Sequence, residues 1–156
     1  MINPILPALV LATAAIASAP LPAQVTATVL DYATADAISE RCLGHAREAG
    51  HPVAVAVFDQ SGELLSFARG QTSPATAAVA QWKGRSAAIY RRSTLETGTW
   101  NVPAAPMIAT VEGGVPLFTN EGVAVGGVGV SGAPSEFDAQ CGTIAAEAAG
   151  LRVTRP

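Results

Sequence analysis

The chain has 156 residues, 49% hydrophobic, 5% aromatic and 13% charged, with nine basic and twelve acidic side chains giving a formal net charge of −3. This length fits one domain with a sizeable core. The charge excludes a generally basic nucleic-acid binder, and the excess of Ala, Val and Gly over charge excludes a disordered chain.

No charged side chain precedes Asp31. Residues Ile5 to Ala19 form an apolar run broken only by Pro7, Thr13 and Ser18. About 20 apolar residues are needed to span a bilayer, so this run suits the core of a signal peptide better than a membrane helix. Residues 1–23 are read as the leader, with Ala23 before Gln24 as the cleavage point, and 24–156 as one domain. A buried or anchoring helix is the alternative. The leader reading places the mature protein in the periplasm or outside the cell, with no stable membrane span once the leader is removed. The charged share then rises only to about 16%, against the usual ~25%, so surface hidden between copies of the chain is expected.

Gln24 to Leu30 is expected to be extended. A helix follows, capped by Thr34 and ended by Gly50, with Ile38, Cys42, Ala46 and Ala49 on one face. Pro52 to Asp59 predicts a strand buried on both faces, Val on one side and Ala on the other. Gln60-Ser61-Gly62 turns it into a second strand, Glu63 to Arg69. Ser73-Pro74 starts a helix running to about Arg92, in which Gly84 marks close packing or a break. Ser93 to Pro106 is irregular, either a surface loop with a packed Trp100 or a lid. Pro116 to Thr119 and Val123 to Ser131 form another hairpin, and Ser135 to Gly150 an Ala-rich helix with Cys141 on its core face. Hairpins alternating with helices predict an α+β fold with helices covering a mostly antiparallel sheet.

Cys42 and Cys141 are the only cysteines. In an oxidising compartment an even pair favours a disulfide. The competing reading is a metal site from Cys42, His45, His51 and Cys141, which lacks the second close ligand pair of a zinc site. His45 and His51 remain candidate haem-iron or metal ligands, or surface residues at a helix end. Arg69, Lys83 and Arg85 are candidates for binding a propionate, carboxylate or phosphate, or else solvated or interface charges. Gly127 to Gly132 fits G-x-G-x-x-G, but too little chain follows for a second parallel strand with its ribose-binding acid. A glycine-lined strand approached by another backbone or a flat ligand is the better reading. Ser131 does not fit a nucleophile elbow, because Ala133 stands where the last glycine belongs.

From about Thr34 to Leu151 the chain resembles the GlcG/HbpS-like haem-binding family, also seen as a C-terminal domain of PduO-type proteins. Three pieces carry the resemblance. The first is the Ala-rich helix followed by Pro52 to Asp59 and Ser61 to Leu65. The second is Arg69 followed by Lys83-Gly84-Arg85-Ser86-Ala87-Ala88. The third is Gly113 to Leu117, Gly122, Gly126 to Gly132 and Asp138. The resemblance implies a profilin-like, three-layer α/β/α fold around a five-stranded antiparallel sheet, homo-oligomers, and non-covalent haem binding linked to haem degradation or sensing. Arg69 and Lys83 match family positions and are carried over only as candidate ligand contacts. No axial haem ligand is carried over, because the family has no fixed motif for one. Where relatives read Arg-Met-Asp-Gly-Ala, this chain has Arg69-Gly70-Gln71-Thr72-Ser73.

The expected function is that of an exported oligomer binding haem or a similar tetrapyrrole, small strand residues receiving the ring face and basic side chains the propionates. A haem-sensing or redox role would come from the bound iron. The alternatives are an enzyme acting on a small carboxylate or aromatic metabolite through Lys83 or Arg69, and a non-catalytic scaffold or sensor partner.

Overall fold

A computed structural model describes residues 27–102 and 104–156. The expected leader, with Gln24 to Thr26, lies outside the described residues. Eight elements follow in chain order: α1 (Tyr32–Glu48), β1 (Ala54–Asp59), β2 (Leu64–Arg69), α2 (Pro74–Tyr90), α3 (Thr94–Thr97), β3 (Gly114–Phe118), β4 (Ala124–Ser131) and α4 (Ser135–Ala148). No helix among the described residues is long and apolar enough to cross a membrane.

α1 begins earlier than its sequence predicts. Asp31, not Thr34, is the N-cap, and its carboxylate accepts the Thr34 N–H at 2.8 Å. That bond holds the Asp31 carboxyl below its ordinary range. Asp31 and Thr34 are both good caps, and the aspartate three residues upstream takes the role. Ser73 caps α2 as expected, with Pro74 in its first turn, but α2 ends at Tyr90 because Arg91 turns left-handed at φ 55°. The irregular stretch after it holds the short α3. Its Trp100 packs edge-on against Tyr90, whose hydroxyl donates to the Pro106 carbonyl at 2.6 Å.

The sheet is antiparallel throughout, in the order β2-β1-β4-β3. Among the described residues it has four strands where five were expected. Beyond β3 the place of a fifth is taken by a single bridge, in which Phe118 and Arg152 exchange two backbone hydrogen bonds of 2.8 Å. The rest of that terminal segment makes no ladder.

The two faces of the sheet differ in side-chain size, and this sets the three layers. Val55, Val57, Val128 and Val130 point at α1 and α4, forming the main core with Ile38, Cys42, Cys141 and Ala145. On the other face Ala54 packs with Ala77 and Ala80, and Ala56 and Phe58 with Ala88. There α2 approaches almost backbone to backbone. A Cβ on Gly84 would lie 2.7 Å from the Ala56 carbonyl oxygen and 2.8 Å from the Gly129 nitrogen. One on Gly129 would overlap the Ala80 carbonyl and the Gly84 nitrogen, and one on Gly127 the Ala88 nitrogen. The glycine-rich strand therefore receives another backbone, and the expectation that its small residues hold a flat ring is corrected, because α2 fills that face. Gly129→Ala is expected to destabilise the protein by about 1–3 kcal/mol through overpacking, read as a lower urea midpoint.

Cys42 and Cys141 form the disulfide, with their Cα atoms 5.2 Å apart, and tie α1 to α4 inside the core. Neither sulfur is then available to a metal, so the four-residue Cys/His site is excluded.

Candidate functional site

Leu43, Arg47 and His51 lie four residues apart along one side of α1 and its exit. Gly50, at φ 76°, closes the helix: its N–H donates to the Arg47 carbonyl at 3.1 Å, and the His51 N–H to the Ala46 carbonyl at 2.8 Å. This pair of bonds is the Schellman closure, which fixes the backbone of the residue after the glycine. His51-Pro52 then leads straight into β1.

The β1–β2 register brings Arg69 to the same place. Arg69 pairs with Ala54, and the Gly70 N–H donates to the Val53 carbonyl at 2.8 Å. A Cβ on Gly70 would lie 2.9 Å from that carbonyl oxygen, so the close approach depends on glycine. The result is an open groove of about 820 Å³ whose lining includes Leu43, Arg47, His51, Pro52, Val53 and Arg69. Two guanidinium groups and an imidazole meet apolar side chains there, and no carboxylate lines it. Such a donor set suits an anionic ligand with an apolar body. Arg47 was not singled out in the sequence, where it reads as one more charge on an exposed helix face. Its i, i+4, i+8 spacing with Leu43 and His51 was the available signal.

The other candidate residues lie elsewhere. His45 borders a smaller groove of about 260 Å³ with Glu40, Arg41 and Glu48. It stacks on Phe137 with ring centres 5.3 Å apart, while His51 meets the same ring edge-on at 4.5 Å. The two histidines thus flank one phenylalanine ring. Among the described residues no group of three His, Cys, Asp or Glu side chains is placed to hold a metal. Arg85 lies over the Phe58 ring at 5.3 Å, on the α2 side of the sheet.

Lys83, expected to touch a ligand, is fully buried. Its ammonium donates to the Val130 carbonyl and to Asp138 Oδ2, both at 3.0 Å. Asp138 Oδ1 in turn accepts the Ala133 N–H at 3.1 Å. Burial pushes the Asp138 carboxyl above its ordinary value of 3.8, opposed by the charge of Lys83 and by these hydrogen bonds. Lys83 lines neither of these two grooves; its ammonium is taken up by the pair, which joins α2, β4 and α4.

Residues 30–147 match the family model described as "Haem degrading protein HbpS-like". The chain belongs to the HbpS-like family. Protein GlcG of Escherichia coli K12 is 34% identical over 113 residues, which cover 68% of this chain and 84% of GlcG. Among solved structures, a double mutant of HbpS from Streptomyces reticuli is 29% identical, with a TM-score of 0.73 over 85% of this chain and 97% of that one. The PduOC–haem complex is 19% identical, with a TM-score of 0.75 over 82% of this chain and all of PduOC, and so shares the fold. The family assignment agrees with the resemblance read from the sequence.

Proposed function

We propose that this chain is an exported protein that binds haem, or a closely similar tetrapyrrole, non-covalently in the groove between the end of α1 and the end of β2. The observation that carries the reading is that His51, Arg47 and Arg69 line one groove of about 820 Å³ together with Leu43 and Pro52. The donor set fits the group: the imidazole offers an iron ligand, the two guanidiniums match two propionates, and Leu43 and Pro52 give the ring an apolar surface. Membership of a family described as haem-degrading supports the choice of ligand. When bound, the iron would supply the redox chemistry, which the protein's own side chains do not.

Export is supported by the uncharged start of the chain and by the Cys42–Cys141 disulfide, which persists in oxidising compartments. Self-association is supported by Leu64 and Phe67, exposed on the edge strand β2, and by Trp82 and Ile89, exposed on α2.

Titration with hemin tests the binding reading. A saturable Soret shift at micromolar hemin is expected, with the Arg47→Ala/Arg69→Ala pair binding at least about tenfold more weakly, since each charge-assisted contact is worth ~1.5–3 kcal/mol. A shift that never saturates, or an unchanged affinity in the pair, contradicts it.

A further inference from the structure

We infer that Phe137 is the positioning residue for His51, setting the angle at which the imidazole meets a ligand in the groove; this rests on the binding reading above. The His51 backbone is fixed by the Schellman closure, but among the described residues its ring makes no hydrogen bond to the protein. A ligating histidine is ordinarily oriented by a hydrogen bond from its second nitrogen to a carboxylate or carbonyl. Here the contact in that role is the Phe137 ring, its centre 4.5 Å away at an interplanar angle of 60°. Edge-to-face packing is directional because the positive rim of one ring meets the negative face of the other.

Phe137 is itself held from two sides. His45 stacks on it, nearly parallel at 3° and 5.3 Å. The next residue, Asp138, is pinned by Lys83 at 3.0 Å and by the Ala133 N–H at 3.1 Å, which fixes the first turn of α4 where Phe137 stands. The buried ion pair and the histidine outside the groove thus bear on the groove through one aromatic ring. Both lie beyond the groove's own lining.

The test compares Phe137→Leu, Phe137→Tyr and His51→Ala with wild type. Hemin absorption spectra and affinity are measured for all four, and imidazole proton NMR shifts for the apo forms that retain His51. Phe137→Leu keeps apolar bulk but removes the ring. It is expected to weaken hemin binding on the order of 2- to 10-fold, the range one aromatic pair is worth, and to replace one Soret band by a broadened or mixed one. Its apo His51 shifts should lose the ring-current displacement seen in wild type. Phe137→Tyr keeps the ring and should restore both readouts. If Phe137→Leu matches wild type in spectrum and affinity while His51→Ala weakens binding, the positioning role is overturned and the binding reading stands. If His51→Ala leaves hemin binding unchanged, both fall. A fold defect in Phe137→Leu would appear in its circular dichroism, and failure of Phe137→Tyr to restore the spectrum then overturns the proposal.

Discussion

Lys83→Met is expected to destabilise the protein by about 3–5 kcal/mol, the range for removing one partner of a buried ion pair. The methionine fills most of the space, so the loss comes from Asp138, left as a carboxylate with no cation beside it and only backbone N–H groups of Gly132 and Ala133 still directed at it. Burial already pushes that carboxyl up, and the variant removes the largest opposing influence. The folded variant therefore binds a proton that the unfolded chain lacks, over the window from the ordinary value of 3.8 up to the raised one. In that window its stability falls as pH rises, so the deficit is largest at neutral pH and shrinks in acid. Urea unfolding at pH 7 and pH 4 checks both points. Adding Asp138→Leu should recover most of the loss, because a buried pair replaced as a whole is often neutral or stabilising. A single variant as stable as wild type at pH 7 would show that the ammonium is not needed to bury the carboxylate.

Loss of the disulfide should have an effect of similar size. Cys42 and Cys141 are 99 residues apart in sequence, and closing a loop of about 100 residues restricts the unfolded chain by ~4.7 kcal/mol in the chain-entropy model. Cys42→Ala/Cys141→Ala is expected to lose about 4–5 kcal/mol, and reduced wild type should unfold at nearly the same urea midpoint. Since the disulfide joins α1, which supplies Leu43 and Arg47, to α4, which supplies Phe137, its removal should also weaken hemin binding. A change in stability below about 1 kcal/mol would mean that core packing already restrains these helices in the unfolded ensemble.

Much of the fold was legible because pattern and packing agree. The Val/Ala alternation of β1 gives both faces of the sheet, and Ser73-Pro74 and Gly50 mark helix ends that the structure keeps. Gly84, Gly127 and Gly129 signalled a close approach, but residue type alone does not say whether a helix or a ligand makes it; the α2 backbone does. Lys83 was misread for a related reason. A lone lysine in an Ala-rich helix looks available for chemistry until Asp138, 55 residues away, proves to be its partner. Arg47 was passed over because an arginine on an exposed helix face is ordinarily a solvated charge. Only the β1–β2 register, which brings Arg69 beside the end of α1, makes it half of a cationic pair. The shared contact of both histidines with Phe137 depends on where α4 docks, a tertiary fact with no local signature.

In the proposed function, one groove at the junction of α1, β1 and β2 holds a tetrapyrrole. A crystal structure of the hemin complex tests it most directly. The expected density is one ring lying in the groove with its iron facing His51 and its propionates reaching Arg47 and Arg69. A ring bound instead beside Arg85 and Phe58, in the smaller groove at His45, or only between protein molecules away from His51, would contradict it.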